Sequence, residues 1–246
     1  MLTTDDYLQM AATALRSTEE AGWAADVFLN KEAVAADDAV EWHPLIPFLP
    51  AQTRVLFLGS FPPQRKRWCM DFFYPNFTND HWRIEGAVFY GDALHFVDTA
   101  HKTFRLRAIV DHLSAKGIGF FDTALAVRRL ANNASDKFLE VVVPTDIKAM
   151  ATHLPSLKAI VTTGEKATAT IATALNIKDK QGRVQVPAVG AALPSPIDGI
   201  ELYRLPSSSR AYPMSLTKKA EAYKRMFERY GLISNESVDG SDHRFG

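Results

Sequence analysis

The sequence lacks three features that would each define a class of protein. It has a single cysteine, Cys69, among 246 residues, which excludes an internal disulfide, a four-cysteine iron–sulfur site and a cysteine-rich zinc site. Its formal net charge is zero, which argues against a strongly basic nucleic-acid binder but leaves room for a local basic surface. Its first residues lack the cationic start and apolar run typical of a signal peptide, and no apolar run approaches the ~20 residues that span a bilayer. We therefore expect a cytoplasmic protein with no membrane contact.

The apolar residues that are present suffice for one large core. They make up 47% of the chain, and a single α/β domain commonly reaches this length. Strand-like apolar runs occupy residues 55–58, 119–122, 158–163 and 199–205, and helical patterns lie between them at 103–115 and 164–175. This alternation predicts an α/β fold in which a parallel sheet has helices on both faces.

We divide the chain into three parts. Residues 1–50 form an N-terminal helical extension, with helices near 5–16 and 24–36, and end in a proline-rich connector. Residues 51–233 form the α/β domain, and residues 234–246 form a polar, disordered tail. Because of its three prolines, the connector should be extended and packed on the core by its apolar side chains. His43 has no partner at metal-ligand spacing, so we interpret it as an ordinary connector histidine.

The first predicted strand leads into a segment dense in groups that bind ligands. Gly59-Ser60-Phe61-Pro62 ends that strand in a tight turn, and open α/β sheets bind ligands at the carboxyl ends of their strands. The fourth strand ends similarly, at Leu205-Pro206-Ser207-Ser208-Ser209. Backbone N–H groups and hydroxyls in such loops can bind phosphate oxygens, although both segments are equally typical of ordinary turns. We expect Gly59, Ser60, Phe61 and the three serines to contact substrate.

Polar and charged residues continue this pattern further along the chain. Asp122 stands at the end of the second predicted strand, beside the first strand end, and we expect a long loop after it. The helix predicted for residues 215–230 carries a basic face that includes Lys218 and Lys219, and we expect those cations and Arg210 to contact phosphates.

Five motifs in this order resemble the uracil-DNA glycosylase superfamily, and most closely its hypoxanthine-DNA glycosylase-like branch. The motifs are the strand into Gly59-Ser60-Phe61-Pro62, Asn79-x-x-Trp82, residues 117–122, Gly164-x-x-Ala167 and residues 205–209. The resemblance implies a three-layer α/β/α sandwich around a central four-stranded parallel sheet. It also implies a monomeric, monofunctional enzyme that flips a damaged or deaminated base out of DNA and hydrolyses its N-glycosidic bond, with no metal and no cofactor.

The resemblance also directs attention to one amide. Many members of that superfamily have Asp or Asn where Phe61 stands, and His or Asn where Leu205 stands. The hypoxanthine-type branch shares both losses and has an Asn in the later motif, which corresponds to Asn79. By the same correspondence Tyr74, rather than its neighbour Phe73, is the platform on which the flipped base stacks.

The chemistry of base release sets requirements that these residues could meet. The site must hold a water, tolerate an oxocarbenium-like sugar and stabilise the departing base. Asn79 could orient water or base, or it could only cap the helix that follows. Asp122 or His81 could act as a general base, but Asp122 could instead cap a loop, and a helix would turn His81 away from Asn79.

Two other functions remain open from the sequence. A protein with the glycosylase fold could bind DNA or nucleotides without cleaving them, since Phe61 and Leu205 replace two polar catalytic positions. A hydrolase of free nucleosides would not need the basic helix, which counts against that third possibility.

Overall fold

The computed structural model describes residues 40–130 and 139–234. The predicted N-terminal helices and nearly all of the predicted tail lie outside these residues. The strands are β1 Val40–Trp42, β2 Val55–Gly59, β3 Val97–Asp98, β4 Thr103–Phe104, β5 Ile118–Asp122, β6 Ala124–Arg129, β7 Leu139–Pro144, β8 Ala159–Thr163, β9 Ala192–Pro194 and β10 Glu201–Leu205. The helices are α1 His81–Tyr90, α2 Leu106–Lys116, α3 Ile147–Thr152, α4 Glu165–Ala174 and α5 Leu216–Arg229, with a short 3-10 helix at Arg65–Arg67.

The central sheet has the strand order β5-β2-β8-β10-β9. Its first four strands are parallel, and β9 pairs antiparallel with β10 at one edge. Strands β2, β5 and β8 consist almost wholly of buried residues, as expected when helices cover both faces of a sheet. The predicted α/β fold with four parallel strands is therefore confirmed, with β9 as an additional strand.

The layers follow from the direction of the crossovers. The chain moves from β2 to β5 on one side, then back past β2 to β8 and onward to β10. Because such connections are right-handed, the reversal places α1 and α2 on one face and α3 and α4 on the other. Helix α5 packs against α1 and completes its layer. The reversal also creates a switch point between β2 and β8, where open α/β sheets form their ligand crevice.

A second sheet replaces the long loop that we expected after Asp122. Strands β1, β6 and β7 form an antiparallel sheet in the order β1-β6-β7, so the loop prediction is wrong over β6, while residues 131–138 lie outside the described residues. Strand β6 begins with an apolar run and ends in two arginines. Its residue Arg128 pairs with Val40 in β1, which is far away in sequence. Nothing local to β6 indicates that pairing.

The connector is extended and packed on the core, as predicted. Leu45, Ile46 and Phe48 are buried, and Phe48 forms an isolated antiparallel bridge with Phe120 in β5. The three prolines at 44, 47 and 50 follow β1, so the regular ladder stops before them. Residues 40–50 therefore share the core of the α/β domain.

Helix termini match their sequence signals at both ends of the domain. Gly117 ends α2 in a left-handed conformation with φ 70°, which glycine adopts at little cost. Ser215 caps α5 by accepting a hydrogen bond from the Lys218 backbone N–H, as serine commonly does. No helix in the described ranges combines the length and apolar composition needed to cross a membrane.

Candidate active site

A cleft of about 1180 Å³ opens at the carboxyl ends of the parallel strands. All of the predicted site residues except His81 line it. They are Gly59, Ser60, Phe61, Phe73, Tyr74, Asn79, Asp122, Ser207, Ser208, Ser209 and Arg210. The cleft also includes Thr163 and Gly164 at the end of β8. It therefore lies at the switch point between β2 and β8.

Asn79 faces the cleft immediately before α1. Its Oδ1 accepts a hydrogen bond from the His81 backbone N–H at 2.9 Å, so the amide oxygen satisfies one of the free donors at the start of the helix. That bond sets the orientation of the amide, because only the oxygen can accept. In the described part of the chain, nothing accepts a hydrogen bond from its Nδ2. The N-cap of α1 is Asp80, so Asn79 is not the helix cap that its sequence position suggested, and its oxygen instead closes a turn just before the helix. This bond and a functional role are compatible, since they use different atoms.

Asp122, the last residue of β5, contacts a residue that the sequence did not indicate. Its Oδ2 lies 2.9 Å from Nε2 of His43, and both side chains are nearly buried. We interpreted His43 as an ordinary connector histidine, but it contacts a candidate catalytic residue. The two positions are 79 residues apart, and no spacing rule links them.

His81 does not join the cleft. Its side chain is fully buried and is stacked against the Tyr74 ring, with the centroids 3.9 Å apart and the planes 2° from parallel. Burial lowers the pKa of His81 to about 3, because a charged imidazolium would lose its hydration. The ring lies two residues beyond Asn79 in a helical turn, which directs it into the core. The structure thus separates this predicted base from Asn79 and Asp122.

Tyr74 has an unusual backbone conformation for a large residue. Its φ is 50°, in the left-handed region that bulky side chains rarely adopt. Its hydroxyl shares a 2.7 Å hydrogen bond with Oγ1 of Thr163, and His81 covers one face of its ring. Such conformations persist where the surroundings hold them, often at functional sites. The neighbouring Phe73 is only 3% exposed and stacks on Phe120 in the core.

The loop after β10, residues 206–209, is tied to α1 through Asp80; we call it the serine loop. The Asp80 backbone N–H donates to the Ser208 carbonyl at 3.0 Å. The Asp80 carboxylate pairs with Arg210 at 3.0 Å and Lys219 at 3.1 Å. Lys219 also donates to the Ser209 carbonyl. The serine loop is therefore held by an ion-pair network beneath it.

This network corrects the expected role of the basic helix. The Lys219 side chain is only 1% exposed, so it stabilises the serine loop and is not available to a phosphate. Arg229, at the end of the same helix, pairs with Glu201. Lys218 is exposed, and the Arg210 side chain is 55% exposed.

Charge and polarity in the cleft favour an anionic ligand. Its cationic lining residues are Arg67, Arg129, Lys166, Arg204 and Arg210. Among the described lining residues, the carboxylates are Asp122 and Glu165. Arg129 also pairs with Glu41 and Arg210 with Asp80, neither of which lines the cleft, so a small excess of positive charge remains to attract negative charge. No group of three or more His, Cys, Asp or Glu residues within residues 40–130 and 139–234 is arranged to hold a metal ion.

Comparisons with known proteins found similarity among solved structures. No protein-family model matches the sequence, and no curated protein matches it. The chain is similar to a solution NMR structure of a "putative Uracil DNA glycosylase" from Methanosarcina acetivorans, at 24% sequence identity and a TM-score of 0.48. The similarity covers 74% of this chain and 95% of that one. A likeness of this size assigns neither a family nor a reaction to the chain.

Proposed function

We propose that the protein is a DNA glycosylase of the uracil-DNA glycosylase superfamily, in the hypoxanthine-DNA glycosylase-like branch. It flips a deaminated base out of DNA and hydrolyses its N-glycosidic bond. The observation that carries this proposal is the convergence of Asn79, Tyr74, Asp122 and the two small-residue strand ends in one cleft. The five sequence motifs that resemble the superfamily all contribute to that convergence.

Tyr74 is suited to hold the flipped base. Its ring lines the cleft, and His81 supports the ring from the core by stacking on it at 3.9 Å. Aromatic stacking is a common way to hold an extruded nucleotide. The hydrogen bond to Thr163 fixes the ring, so little conformational freedom is lost when a base binds.

Asn79 is suited to stabilise the departing base. Deamination places a carbonyl where the parent base has an amino group, and a departing base gains negative charge on its oxygens. The Nδ2 group of Asn79 supplies hydrogen-bond donors that are already oriented by the bond from His81 N–H. Preorganised donors aimed at developing charge are a major source of rate enhancement.

Asp122 is suited to handle the attacking water. As a carboxylate it accepts a proton from the water while the water oxygen bonds to the sugar C1′ and the glycosidic bond breaks. The base leaves with the bonding electrons and is protonated afterwards. Of the described residues at the ends of the four parallel strands, Asp122 is the one that brings a carboxylate to the cleft.

Phe61 and Leu205 support an alternative function. Phe61 is 8% exposed and packs edge-on against His43, while Leu205 is fully buried. Neither side chain can activate water or stabilise a base. This observation favours a protein that binds DNA or nucleotides and cleaves them slowly or not at all.

A panel of oligonucleotides distinguishes these functions. Single- and double-stranded DNA containing uracil, hypoxanthine or xanthine would be incubated with excess protein and then treated with alkali. We expect strand breaks at one or more lesions, none in undamaged DNA, and none without alkali because the enzyme is monofunctional. Lesion binding without any break would favour the binder. If the protein showed no binding and produced no breaks, both functions would be excluded.

A further inference from the structure

We infer that His43 is a positioning residue that holds the Asp122 carboxylate in the orientation needed at the cleft. The reaction in which this pair acts is the base release proposed above, on which this inference rests. His43 itself does not line the cleft, and it is 6% exposed. Any effect of His43 on chemistry must therefore pass through Asp122.

The hydrogen bonds of the His43 ring keep one donor directed at Asp122. An ionised carboxylate only accepts, so Nε2 carries the proton of the 2.9 Å bond to Oδ2. Nδ1 lies 3.1 Å from the Leu45 nitrogen and 2.9 Å from the Leu45 oxygen. A neutral ring accepts from the Leu45 N–H, and a protonated ring donates to the Leu45 carbonyl. In both states Nε2–H remains directed at Asp122.

Packing also prevents the ring from turning away. The ring centroid of His43 lies 5.2 Å from that of Phe61 and 4.6 Å from that of Phe121. The His43 backbone N–H donates to the Leu125 carbonyl in β6 at 2.8 Å. Phe61 and Phe121 therefore fix the ring of His43, and the bond to β6 of the second sheet fixes its backbone.

Gly59 leaves the space that the other carboxylate oxygen occupies. Gly59 pairs directly with Asp122 between β2 and β5. A Cβ atom at position 59 would collide with Asp122 Oδ1. One carboxylate oxygen is thus fixed by His43, and the other lies over Gly59, where a side chain would displace it.

These contacts argue against the simpler interpretation of Asp122 as a loop cap. A capping carboxylate accepts a hydrogen bond from a nearby backbone N–H. In residues 40–130 and 139–234, no backbone N–H donates to the Asp122 carboxylate, whereas an imidazole from a distant segment does. The arrangement matches a polar group that is oriented by a second residue behind it. Removing such an orienting residue typically lowers activity about 10–100-fold.

A double-mutant cycle tests the inference. Single-turnover base release would be measured for the wild type, His43→Ala, Asp122→Asn and the double variant on the best lesion. We expect His43→Ala to slow release about 10–100-fold with little change in DNA affinity. In the Asp122→Asn background the same change should have no further effect, because His43 acts only through that carboxylate.

Two further variants separate positioning from stability. His43→Gln keeps an amide N–H that can reach Asp122, so it should restore most of the rate. His112→Ala is the matched control, because His112 is also a buried histidine bonded to a carboxylate, Glu85, but lies away from the cleft. It should lower the unfolding midpoint and leave the rate of the folded protein unchanged. A wild-type rate for His43→Ala, or additive losses in the double variant, would overturn the inference.

A spectroscopic measurement decides the pair even if base release is absent. In the NMR spectrum of protein with ¹⁵N-labelled histidine, we expect the His43 Nε2–H to exchange slowly and to lose this protection in Asp122→Ala. If no lesion is cleaved but this protection is present, the proposed function fails and the pair stands. An unprotected Nε2–H in the wild type would contradict the pair whatever the activity.

Discussion

Among the described residues, two buried clusters join histidine to carboxylate, and they differ in access rather than in chemistry. At the cleft, His43 pairs with Asp122 at the end of β5. Beneath Tyr74, Glu85 lies between His81 at 3.6 Å and His112 at 3.3 Å, with all three side chains almost fully buried. Burial raises the pKa of Glu85 and lowers that of His81 to about 3. The buried cluster therefore lies within the core, while the cluster at the strand end reaches the cleft through Asp122.

Three consecutive residues show how closely these environments adjoin. Asn79 lines the cleft, Asp80 enters the ion-pair network under the serine loop, and His81 points into the core. A helix start produces this divergence, because successive side chains leave its axis about 100° apart. Substitutions at neighbouring positions should therefore have different kinds of effect.

The largest expected effect is on stability, at Asp80. Asp80→Ala leaves the Lys219 ammonium buried with only the Ser209 carbonyl as partner, and breaking a buried ion pair in this way costs about 3–5 kcal/mol. Arg210→Ala removes the exposed partner of the same carboxylate and should cost less than about 1 kcal/mol. Urea unfolding measures both, and equal costs would contradict the division between buried support and exposed cleft.

The next effect is on chemistry, at Asn79. Asn79→Ala should slow single-turnover base release about 10²–10³-fold with little change in DNA affinity, and should cost about 1 kcal/mol through loss of the hydrogen bond from His81 N–H. Asn79→Asp retains an oxygen for that bond and should keep stability.

The Asp variant also shows which atom of Asn79 acts. If the amide donates to the base, Asn79→Asp should be nearly as slow as Asn79→Ala. If the residue orients water, the carboxylate should retain or raise activity on uracil. Equal rates for all three proteins would leave Asn79 with only the structural bond from His81 N–H.

A smaller effect should appear on acidification, through His81. His81 binds a proton near pH 3 in the folded state and near pH 6.5 in the unfolded chain. Between these values the unfolded state therefore binds more protons. Stability should therefore fall as pH decreases from about 6.5 toward 3, by at most about 1.4 kcal/mol per pH unit.

Two substitutions isolate this term. His81→Phe should flatten the acid side of the stability profile, measured by urea unfolding between pH 4 and 7. The raised pKa of Glu85 opposes the effect, because on acidification this carboxylate gains a proton in the folded state before it does so in the unfolded state. Glu85→Gln should therefore steepen the loss of stability. An unchanged slope in His81→Phe would show that His81 is not held neutral by burial.

The smallest effect concerns the exposed cations of the cleft. Arg67→Ala and Arg210→Ala should weaken binding to all DNA sequences alike. Each should reduce the salt slope by about 0.9 for duplex DNA if it neutralises one phosphate. Arg183→Ala, an exposed arginine outside the cleft that pairs with Asp179, is the control and should leave the slope unchanged. Fluorescence anisotropy across a range of salt concentrations measures the slopes, and a salt-independent affinity would remove DNA as the ligand.

Local sequence was sufficient for the four parallel strands and their ends. Parallel strands buried on both faces appear as short apolar runs, and the residues that stop them appear as Gly, Pro or Ser, because only those types suit the turns. The predicted site residues at 59–61, 122 and 207–209 followed from this, since strands of one parallel sheet end at the same edge.

Tertiary structure alone decided which side chains meet. His43 and Asp122, Val40 and Arg128, and Tyr74 and Thr163 are each about 80 to 90 residues apart, and no periodicity connects them. Lys218 and Lys219 are identical in type and adjacent, yet one is exposed and the other lies in an ion pair with Asp80. Composition and local pattern describe what a residue can do, but burial and partners depend on how the distant segments pack, because water access and electrostatic environment arise only in the folded chain.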